Sequence, residues 1–263
     1  MTTSTAATAG TTDPRVDERE SRVLQFASYS GVPVVVAIAC GLMYFYVQGR
    51  ELDSIEGRLI TARNIQRFAF DQITISLWAT AFTLLIAIPL GIMLTRPWAR
   101  RAAAYVVAIA NVGQGMPAVG LIFLAFIIIS RNPPRAAIIA MVAYAVLPVL
   151  RGTMVGLQQV DRDVVKAARG MGMSKLAVLG RVELPLAVPI LLTGVRTALV
   201  LTVATSVLGG FVGAGTFGQL IVGGFAQSRM LAVAVGSLGA ASLAIMADWA
   251  GGIAEDFLRP RGL

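Results

Sequence analysis

Long stretches without a charged residue occupy most of the chain beyond residue 71. Four of them, free of Asp, Glu, Lys and Arg, cover 72–95, 102–130, 136–150 and 197–228. An apolar run of about 20 residues is long enough to cross the hydrocarbon core of a bilayer as a helix. The pattern therefore predicts an all-α polytopic membrane protein.

These stretches predict about six membrane-spanning helices joined by polar connections. Glycine and proline interrupt the third predicted span at 113–117, which a helix bundle tolerates because neighbouring groups satisfy the freed backbone. The predicted spans cover 29–47, 73–95, 103–130, 135–150, 192–212 and 230–250.

The regions outside the spans set the predicted domain boundaries. The first residues are rich in Thr and Ala, then mixed in charge, and show no apolar period, which is typical of a disordered tail. They do not resemble a signal peptide, because the first apolar run follows charged residues and lacks a convincing cleavage site. The predicted divisions are a cytoplasmic tail at 1–27, a first helix and outer loop at 28–71, a transmembrane domain at 72–252 with a polar loop at 153–188, and a C-terminal tail at 253–263.

The distribution of Lys and Arg favours one orientation in the membrane. With both termini inside, 14 of these residues lie in inner connections and seven in outer ones, while Arg196 stands at the inner start of the fifth span. Positive residues are enriched on the cytoplasmic side, so we expect cytoplasmic termini and a cytoplasmic loop at 153–188. The first outer loop carries four arginines against this trend. The helical spacing of Leu52, Ile55 and Leu59 favours a position along the membrane surface for that loop.

One cysteine, Cys40, and the absence of histidine limit the chemistry of the chain. Disulfide frameworks, thiolate or imidazole metal sites, and Ser-His or Cys-His nucleophiles are excluded. We therefore expect no catalytic residue and no metal site. The net charge of +8 is explained by arginines that hold loops in the cytoplasm, so no nucleic-acid partner is expected.

A charged, helix-forming segment at 161–185 interrupts the second half of the chain. Asp161 or Asp163 can cap a first helix, and Gly170 and Gly172 end it. Its small apolar face consists of Val164, Ala167, Ala168 and Met171. Its basic face consists of Arg162, Lys166 and Arg169.

A second short helix follows, with Ser174 as its cap and Pro185 as its predicted end. The segment is then a helix–turn–helix too short to be a domain. A face of small apolar side chains suits docking into the groove of a partner protein. The plain alternative is an ordinary loop with solvated charges.

Several residues of this segment are separated by defined spacings. Three positions lie between Ala167-Ala168 and Gly172, and nine lie between Gly172 and Val182. The pattern resembles the EAA loop of ABC importer permeases, which reads Glu-Ala-Ala, three residues, Gly, nine residues, Ile, one residue, Leu-Pro. The resemblance implies a coupling loop that inserts into a separate ATPase subunit. The residues concerned are Lys166, Ala167, Ala168, Gly172, Val182, Leu184 and Pro185.

Lys166 departs from this motif, because the family has Glu at that position. We expect the partner groove near Lys166 to be more acidic than usual.

Other parts of the chain resemble the glycine betaine, carnitine and choline subgroup of these permeases. The subgroup has Gly-Leu-Gly where this chain has Thr216-Phe217-Gly218. The similar stretches are SLWATAFTLLIAIPLGIMLTR at 76–96, ANVGQGMPAVGLIFLAF at 110–126, YAVLPVLRGTMVGLQQVD at 144–161 and FVGAGTFGQLIVGGF at 211–225.

The resemblance implies a type I ABC importer permease in the bacterial inner membrane. Such a subunit forms the translocation path for an osmoprotectant such as glycine betaine, carnitine or choline, and needs no cofactor, since ATP binds to its partner. The implied partners are ABC ATPase subunits, a second permease copy or paralogue, an extracytoplasmic substrate-binding protein and the lipid bilayer. Amino acids, phosphonates and sulfonates remain open as substrates.

The rival class is an ion-coupled secondary transporter. Such a transporter usually needs ionisable residues deep in its spans, and the central spans of this chain have none.

The run GAGTFG at 213–218 fits the G-x-G-x-x-G pattern of dinucleotide sites. A membrane span rather than a strand precedes it, and the next acidic residue, Asp248, lies 30 positions after Gly218. We expect instead a re-entrant or outer-mouth segment whose backbone is covered by protein or water. The chain has no GxxxxGK[ST] sequence, so ATP would have to bind to another subunit.

Polar and aromatic residues within the spans are candidates for the translocation path. Interhelical hydrogen bonding explains the polar ones equally well, and Asp248 is expected as a hydrated carboxylate at the inner interface. The polar candidates are Asn111, Gln114, Thr202, Thr205 and Ser206. The aromatic candidates for cation–π contacts are Trp78, Phe123, Phe126, Tyr144 and Phe217.

Overall fold

The computed structural model describes residues 14–258, with side chains from residue 30 onward. Within that range the chain is helical almost throughout, and short π-helical or 3-10 turns join some of the helices. The α-helices are α1 (Pro14–Gln48), α2 (Glu56–Leu59), α3 (Ala62–Leu94), α4 (Arg100–Gly115), α5 (Ala118–Leu124), α6 (Pro133–Gln158), α7 (Arg162–Gly170), α8 (Lys175–Val178), α9 (Leu184–Ser206), α10 (Phe217–Ala226) and α11 (Met230–Leu258).

Five helical segments of the described residues are long and apolar enough to cross a bilayer, and one bent pair can serve as a sixth span. The predicted all-α polytopic architecture with about six spans is therefore confirmed. The straight spans are Ser30–Gln48, Ala62–Leu94, Pro133–Gln158, Lys175–Val212 and Met230–Leu258, and the bent pair joins Pro97–Gly115 to Ala118–Ile129.

The bent pair turns by 99° at the Gly-Met-Pro sequence that interrupts the third predicted span. Met116 has an extended backbone, and Pro117 immediately precedes α5. A residue before proline avoids the helical conformation, and proline has no N–H to donate, so α4 cannot continue into α5. The predicted span at 103–130 is thus two helices near a right angle.

The structural spans are longer than the charge-free stretches that predicted them. Helix α3 begins at Ala62, because the Thr61 side chain accepts a hydrogen bond from the N–H of Asn64 and caps the helix. Residues 62–71 therefore belong to the second span rather than to the outer loop. Helix α6 likewise continues to Gln158. Arg and Gln form helix about as readily as Leu, so the absence of charge does not mark the helix ends.

Helix extends into the described parts of both predicted tails. Helix α1 begins at Pro14, so 14–27 is helical, and α11 continues through 253–258. Proline is favoured at the first helical position, and Glu and Arg are good helix formers, which explains a helix where mixed charge predicted disorder. The remaining positions of the predicted tails, 1–13 and 259–263, lie outside the described residues.

Glycine allows α6 and α9 to pack with their backbones in contact. A Cβ atom on Gly194 would lie 2.8 Å from the carbonyl oxygen of Pro148, and one on Gly156 would lie 2.9 Å from that of Ala187. Helix association in lipid depends on such close van der Waals contact, because the hydrophobic effect is absent there. Helix α3 packs against both helices and completes the core of the bundle.

The loop between α1 and α3 packs against α10 and the start of α11. Leu59 packs against a buried cluster that includes Leu220 and Ala232. Arg229 Nη2 lies 2.6 Å from Asp53 Oδ2 and ties the loop to the start of α11. The helical spacing of the loop thus places apolar side chains against α10 and α11, and its position along the membrane surface stays a prediction.

The glycine-rich stretch before α10 is buried or half-buried except at Phe211 and Gly213, which are exposed. A 3-10 turn at Val207–Val212 is followed by Gly213 and Gly215, whose φ angles of 81° and 82° reverse the chain. A Cβ atom on Gly210 or Gly218 would collide with backbone of the opposite arm. The largely covered backbone agrees with the expected re-entrant or outer-mouth segment. The GAGTFG sequence follows a 3-10 turn and not a strand, which agrees with a chance match to the dinucleotide-binding pattern.

Candidate coupling loop and transport path

Capping interactions define both ends of α7. Asp161 Oδ1 accepts a 2.8 Å hydrogen bond from the N–H of Asp163, which identifies Asp161 as the cap. At the other end Gly172 has a φ of +86°, and its N–H and that of the next residue bond to the carbonyls of Arg169 and Ala168. These two bonds form a Schellman motif, in which a left-handed glycine is favoured. The predicted start and end of the helix are confirmed.

The apolar face of α7 divides between the interior of the chain and its surface. Ala168 is 3% exposed, and Val178 of the neighbouring helix α8 is 1% exposed. Ala168 therefore belongs to the internal packing of the loop, which corrects the prediction that it contributes to a docking surface. Val164, Ala167 and Met171 remain exposed, with Met171 at 77%. We call these three residues the exposed face of α7.

The second loop helix does not end before the membrane. Helix α8 continues through π-helical residues Leu179–Glu183 into α9, so Lys175–Val212 is one helical segment. Ser174 caps it by accepting a hydrogen bond from the N–H of Ala177. Pro185 lies in the first turn of α9, after the wider π turn that accommodates its missing N–H. This corrects the prediction that Pro185 terminates the helix.

The base of the loop is tied to the connection between α3 and α4. Val182, Leu184 and Pro185 are half-buried there. Glu183 lies among them, and its Oε2 is 2.6 Å from Arg96 Nη2. The side chains of this ion pair are only 13% and 30% exposed, so it is less screened than a surface pair.

The basic face of α7 lines a cavity of about 890 Å³. Lys166, the residue that departs from the family motif, contributes to this lining. Its Nζ lies 2.8 Å from Asp163 Oδ1, but both side chains are more than 75% exposed, so the pair contributes little stability. The cationic residues of the lining are Arg96, Arg100, Arg162, Lys166 and Arg169.

The polar groups of the fifth span are hydrogen-bonded within the bundle. Thr202 is fully buried, and its Oγ1 lies 2.8 Å from Thr80 Oγ1 of α3. The hydroxyls of Thr205 and Ser206 donate to backbone carbonyls of their own helix. Of the two interpretations left open by the sequence, the structure favours structural hydrogen bonding for Thr202 and Ser206, because both are buried within the chain.

A buried glutamine that sequence reasoning missed anchors the turn before α10. Gln72 is fully buried, its Oε1 accepts a 3.1 Å hydrogen bond from the N–H of Phe217, and its Nε2 donates to the carbonyl of Val203 at 3.4 Å. The sequence feature that could have identified Gln72 is its position at the start of a charge-free stretch, because an amide side chain within a membrane span needs hydrogen-bond partners from the protein.

Asn111 and Gln114 lie on α4, and Asn111 is exposed. Its Oδ1 accepts a 2.9 Å hydrogen bond from Arg151 Nη2 of α6. The sequence predicted Arg151 in an inner connection, but α6 continues seven residues beyond it. Polar groups within a span avoid lipid, so this pair marks a surface that water or another protein chain covers. Arg151 was missed because charge was taken to mark the end of a span.

Three of the aromatic candidates pack against other aromatic rings of the chain. Phe217 is 3% exposed, and its ring centroid lies 6.3 Å from that of Phe68, so it is not available to a substrate. Phe123 packs edge-on against Phe211. Trp78 is exposed and stacked on a neighbouring ring of its own helix.

Asp248, which the sequence predicted as a hydrated carboxylate at the inner interface, is 49% exposed and also has an ion-pair partner. Its two oxygens accept hydrogen bonds of 2.8 and 2.9 Å from Arg196 of α9. Sequence separation of 52 residues left no local signal of this partner.

Residues 87–260 match the model of a protein family described as binding-protein-dependent transport system inner membrane component. The chain belongs to this family. The resemblance to ABC importer permeases that the segment at 161–185 indicated is therefore confirmed, as is a multi-pass place in the inner membrane.

Characterised relatives place the permease near one subgroup. It is 34% identical to the carnitine transport permease protein OpuCD of Listeria monocytogenes over 70% of this chain and 82% of that one. It is 32% identical to the choline transport system permease protein OpuBB of Bacillus subtilis, over 74% and 88% of the two chains. It is 32% identical to the osmoprotectant import permease protein OsmY of Salmonella typhimurium, over 83% and 89%. These matches confirm the predicted subgroup.

Solved structures of the MetNI methionine ABC transporter in inward-facing conformations share the fold of the permease. One has a TM-score of 0.63 at 23% sequence identity, over 74% of this chain and 96% of that chain. Another has a TM-score of 0.65 at 22% identity, over 76% and 98%. This likeness confirms the type I importer permease architecture.

Proposed function

We propose that this permease forms the translocation path of an ATP-driven importer for quaternary ammonium osmoprotectants of the glycine betaine, carnitine and choline type. The observation that carries the substrate class is identity of 32–34% to permeases for carnitine, choline and osmoprotectants over at least 70% of the chain. Relatives of this similarity preserve a fold, and the substrate is inferred by analogy.

Coupling to ATP is proposed to occur at the exposed face of α7. Val164, Ala167 and Met171 present a small apolar surface on a helix capped at both ends, which suits insertion into a groove of an ATPase subunit. The following helical segment, Lys175–Val212, leads from the loop into the fifth span, so a movement of the loop would be transmitted to that span. ATP binding and hydrolysis are assigned to the separate subunit, and the permease itself holds no cofactor.

A second permease, identical or paralogous, is proposed to complete the path. The exposed pair of Asn111 and Arg151 within the spans supports this, because such groups need water or protein around them. A substrate-binding protein would deliver the substrate from the outer side. Both termini and the loop at 153–188 are assigned to the cytoplasm, which the excess of Lys and Arg in the corresponding connections supports.

Reconstitution in proteoliposomes tests the proposal. The permease is incorporated with and without its ATPase, binding protein is supplied outside, and uptake of labelled glycine betaine, carnitine and choline is measured. We expect uptake of at least one of them that requires both ATP and the ATPase. Uptake of only an amino acid or a phosphonate would overturn the substrate class. Uptake by the permease alone on an ion gradient would overturn the mechanism and favour a secondary transporter.

A further inference from the structure

The cavity beneath α7 has the charge of an anion-binding site. Its cations come from three separate parts of the chain: the connection after α3, the start of α4 and the basic face of α7. Arg96 is neutralised by Glu183 at 2.6 Å, and the Lys166–Asp163 pair is solvent-exposed. Among the described residues, Arg100, Arg162 and Arg169 line the cavity without forming an ion pair. The cavity therefore carries a positive charge that the permease does not itself balance.

The other wall of the cavity is apolar and belongs to the ends of membrane spans. Leu94 ends α3, and Met154 and Leu157 lie in the last turns of α6. A volume of about 890 Å³ is large enough for the head of a phospholipid and the start of its acyl chains. An acidic polypeptide segment would match the cations but would leave this apolar wall unmatched.

We propose that the cavity binds the phosphate group of an anionic phospholipid. Guanidinium groups bind phosphate oxygens through paired hydrogen bonds, and basic pockets between spans on the cytoplasmic side are suited to anionic head groups. The lipid lies with its phosphate among Arg100, Arg162 and Arg169, which are unpaired among the described residues, and its acyl chains along the apolar wall. The assignment to the inner leaflet rests on the orientation proposed above, but binding itself is independent of the transported substrate.

The site also accounts for the position at which this chain departs from its family motif. Lysine in place of glutamate at position 166 makes the cavity more positive by two charges. A bound phosphate would bridge α7 to the start of α4, so the lipid would hold the coupling loop against the spans.

Two variants with the same change in net charge test the site. The first combines Arg100→Gln, Arg162→Gln and Arg169→Gln, all in the lining. The control combines Arg101→Gln, Lys175→Gln and Arg181→Gln, which are exposed and outside the lining. Each full-length permease is purified in a neutral detergent and titrated with phosphatidylglycerol, phosphatidylcholine or inorganic phosphate. Bound lipid is counted by native mass spectrometry, and the measurement is repeated with the ATPase assembled.

We expect the unmodified permease and the control to bind phosphatidylglycerol in preference to phosphatidylcholine. The lining variant should bind it about tenfold more weakly or worse, because three cations near the phosphate are lost. Circular dichroism and thermal unfolding establish that both variants are folded. If the triple variant fails to fold, the single variants Arg100→Gln and Arg101→Gln are compared in the same way.

Three results would overturn the proposal. Equal loss of binding in the lining variant and the control would show attraction by general surface charge. Binding of inorganic phosphate without any lipid would identify a free anion as the ligand. The third result is that phosphatidylglycerol no longer binds once the ATPase is assembled and that the ATPase covers the lining cations instead. It would identify an acidic protein segment as the occupant.

Discussion

Arg196 and Asp248 form a bidentate ion pair between the fifth and sixth spans. Arg196 Nε and Nη2 donate to the two oxygens of Asp248 at 2.8 and 2.9 Å, and Nη1 lies 3.6 Å from Glu255. Glycine makes room for this arrangement, because a Cβ atom on Gly251 would lie 3.2 Å from Arg196 Cγ. The pair thus joins α9 to α11 and favours one rotation and height of α11 relative to α9.

Removal of either member should destabilise the helix pair. Asp248→Ala leaves the Arg196 cation without its main partner, and we expect a loss of about 1–2 kcal/mol in the free energy of unfolding, moderated by partial exposure of both side chains. A double-mutant cycle with Arg196→Ala checks the assignment in mixed micelles. We expect a coupling energy of about 1 kcal/mol, and additive single effects would contradict a direct interaction.

The left-handed glycine at the end of α7 should be required for coupling. Gly172→Ala forces a Cβ atom into a φ of +86°, which costs about 1–2 kcal/mol and loosens the Schellman motif. We expect ATP hydrolysis to continue while the uptake per ATP falls. Gly170→Ala is the matched control, because Gly170 lies in the same loop with open space around it and no positive φ. Equal uptake per ATP in both variants would show that the cap does not matter for coupling.

Two neighbouring alanines should respond differently to the same substitution. Ala167 is exposed on α7, so Ala167→Arg should block ATPase binding while the permease remains folded. Ala168 is 3% exposed, so Ala168→Arg should disrupt the loop itself and increase its proteolysis. Co-purification with the ATPase and limited proteolysis measure the two effects. Intact ATPase binding by Ala167→Arg would remove the exposed face of α7 from the interface.

Ala167 and Ala168 also show how much of the candidate site can be predicted from the sequence. Spacing and capping rules located α7, because Asp161 and Gly172 act through local backbone geometry that any chain must obey. Periodicity grouped Ala167 with Ala168 on one face, but which of them is covered depends on packing against α8. The pairing of Arg151 with Asn111 is a contact across 40 residues, and no local rule specifies it. The fold was therefore predictable from patterns, and the distribution of buried contacts was not.

Close packing of α6 and α9 should make Gly194 intolerant of a side chain. A Cβ atom there would lie 2.8 Å from the Pro148 carbonyl oxygen, so Gly194→Ala requires the helix backbones to separate. We expect a loss of about 1–3 kcal/mol, read as a lower thermal unfolding midpoint in detergent. Gly120→Ala, on α5, is the control because its surroundings are open. A midpoint equally lowered in the control would attribute the effect to glycine replacement in general.

The exposed polar surface of α4 should be accessible to water in the assembled importer. Asn111→Cys in a Cys40→Ser background should react with a membrane-impermeant, water-soluble thiol reagent, because its neighbour Arg151 requires a hydrated or protein-covered environment. Ile109→Cys is the matched control, since Ile109 is 71% exposed on the same helix, two residues away and on a different face. We expect labelling at 111 that depends on the nucleotide state of the ATPase, and little labelling at 109, whose apolar side chain contacts lipid. Two outcomes would show that this surface of α4 does not line a water-filled path. One is equal labelling of the cysteines at positions 109 and 111, and the other is no labelling at position 111 in any nucleotide state.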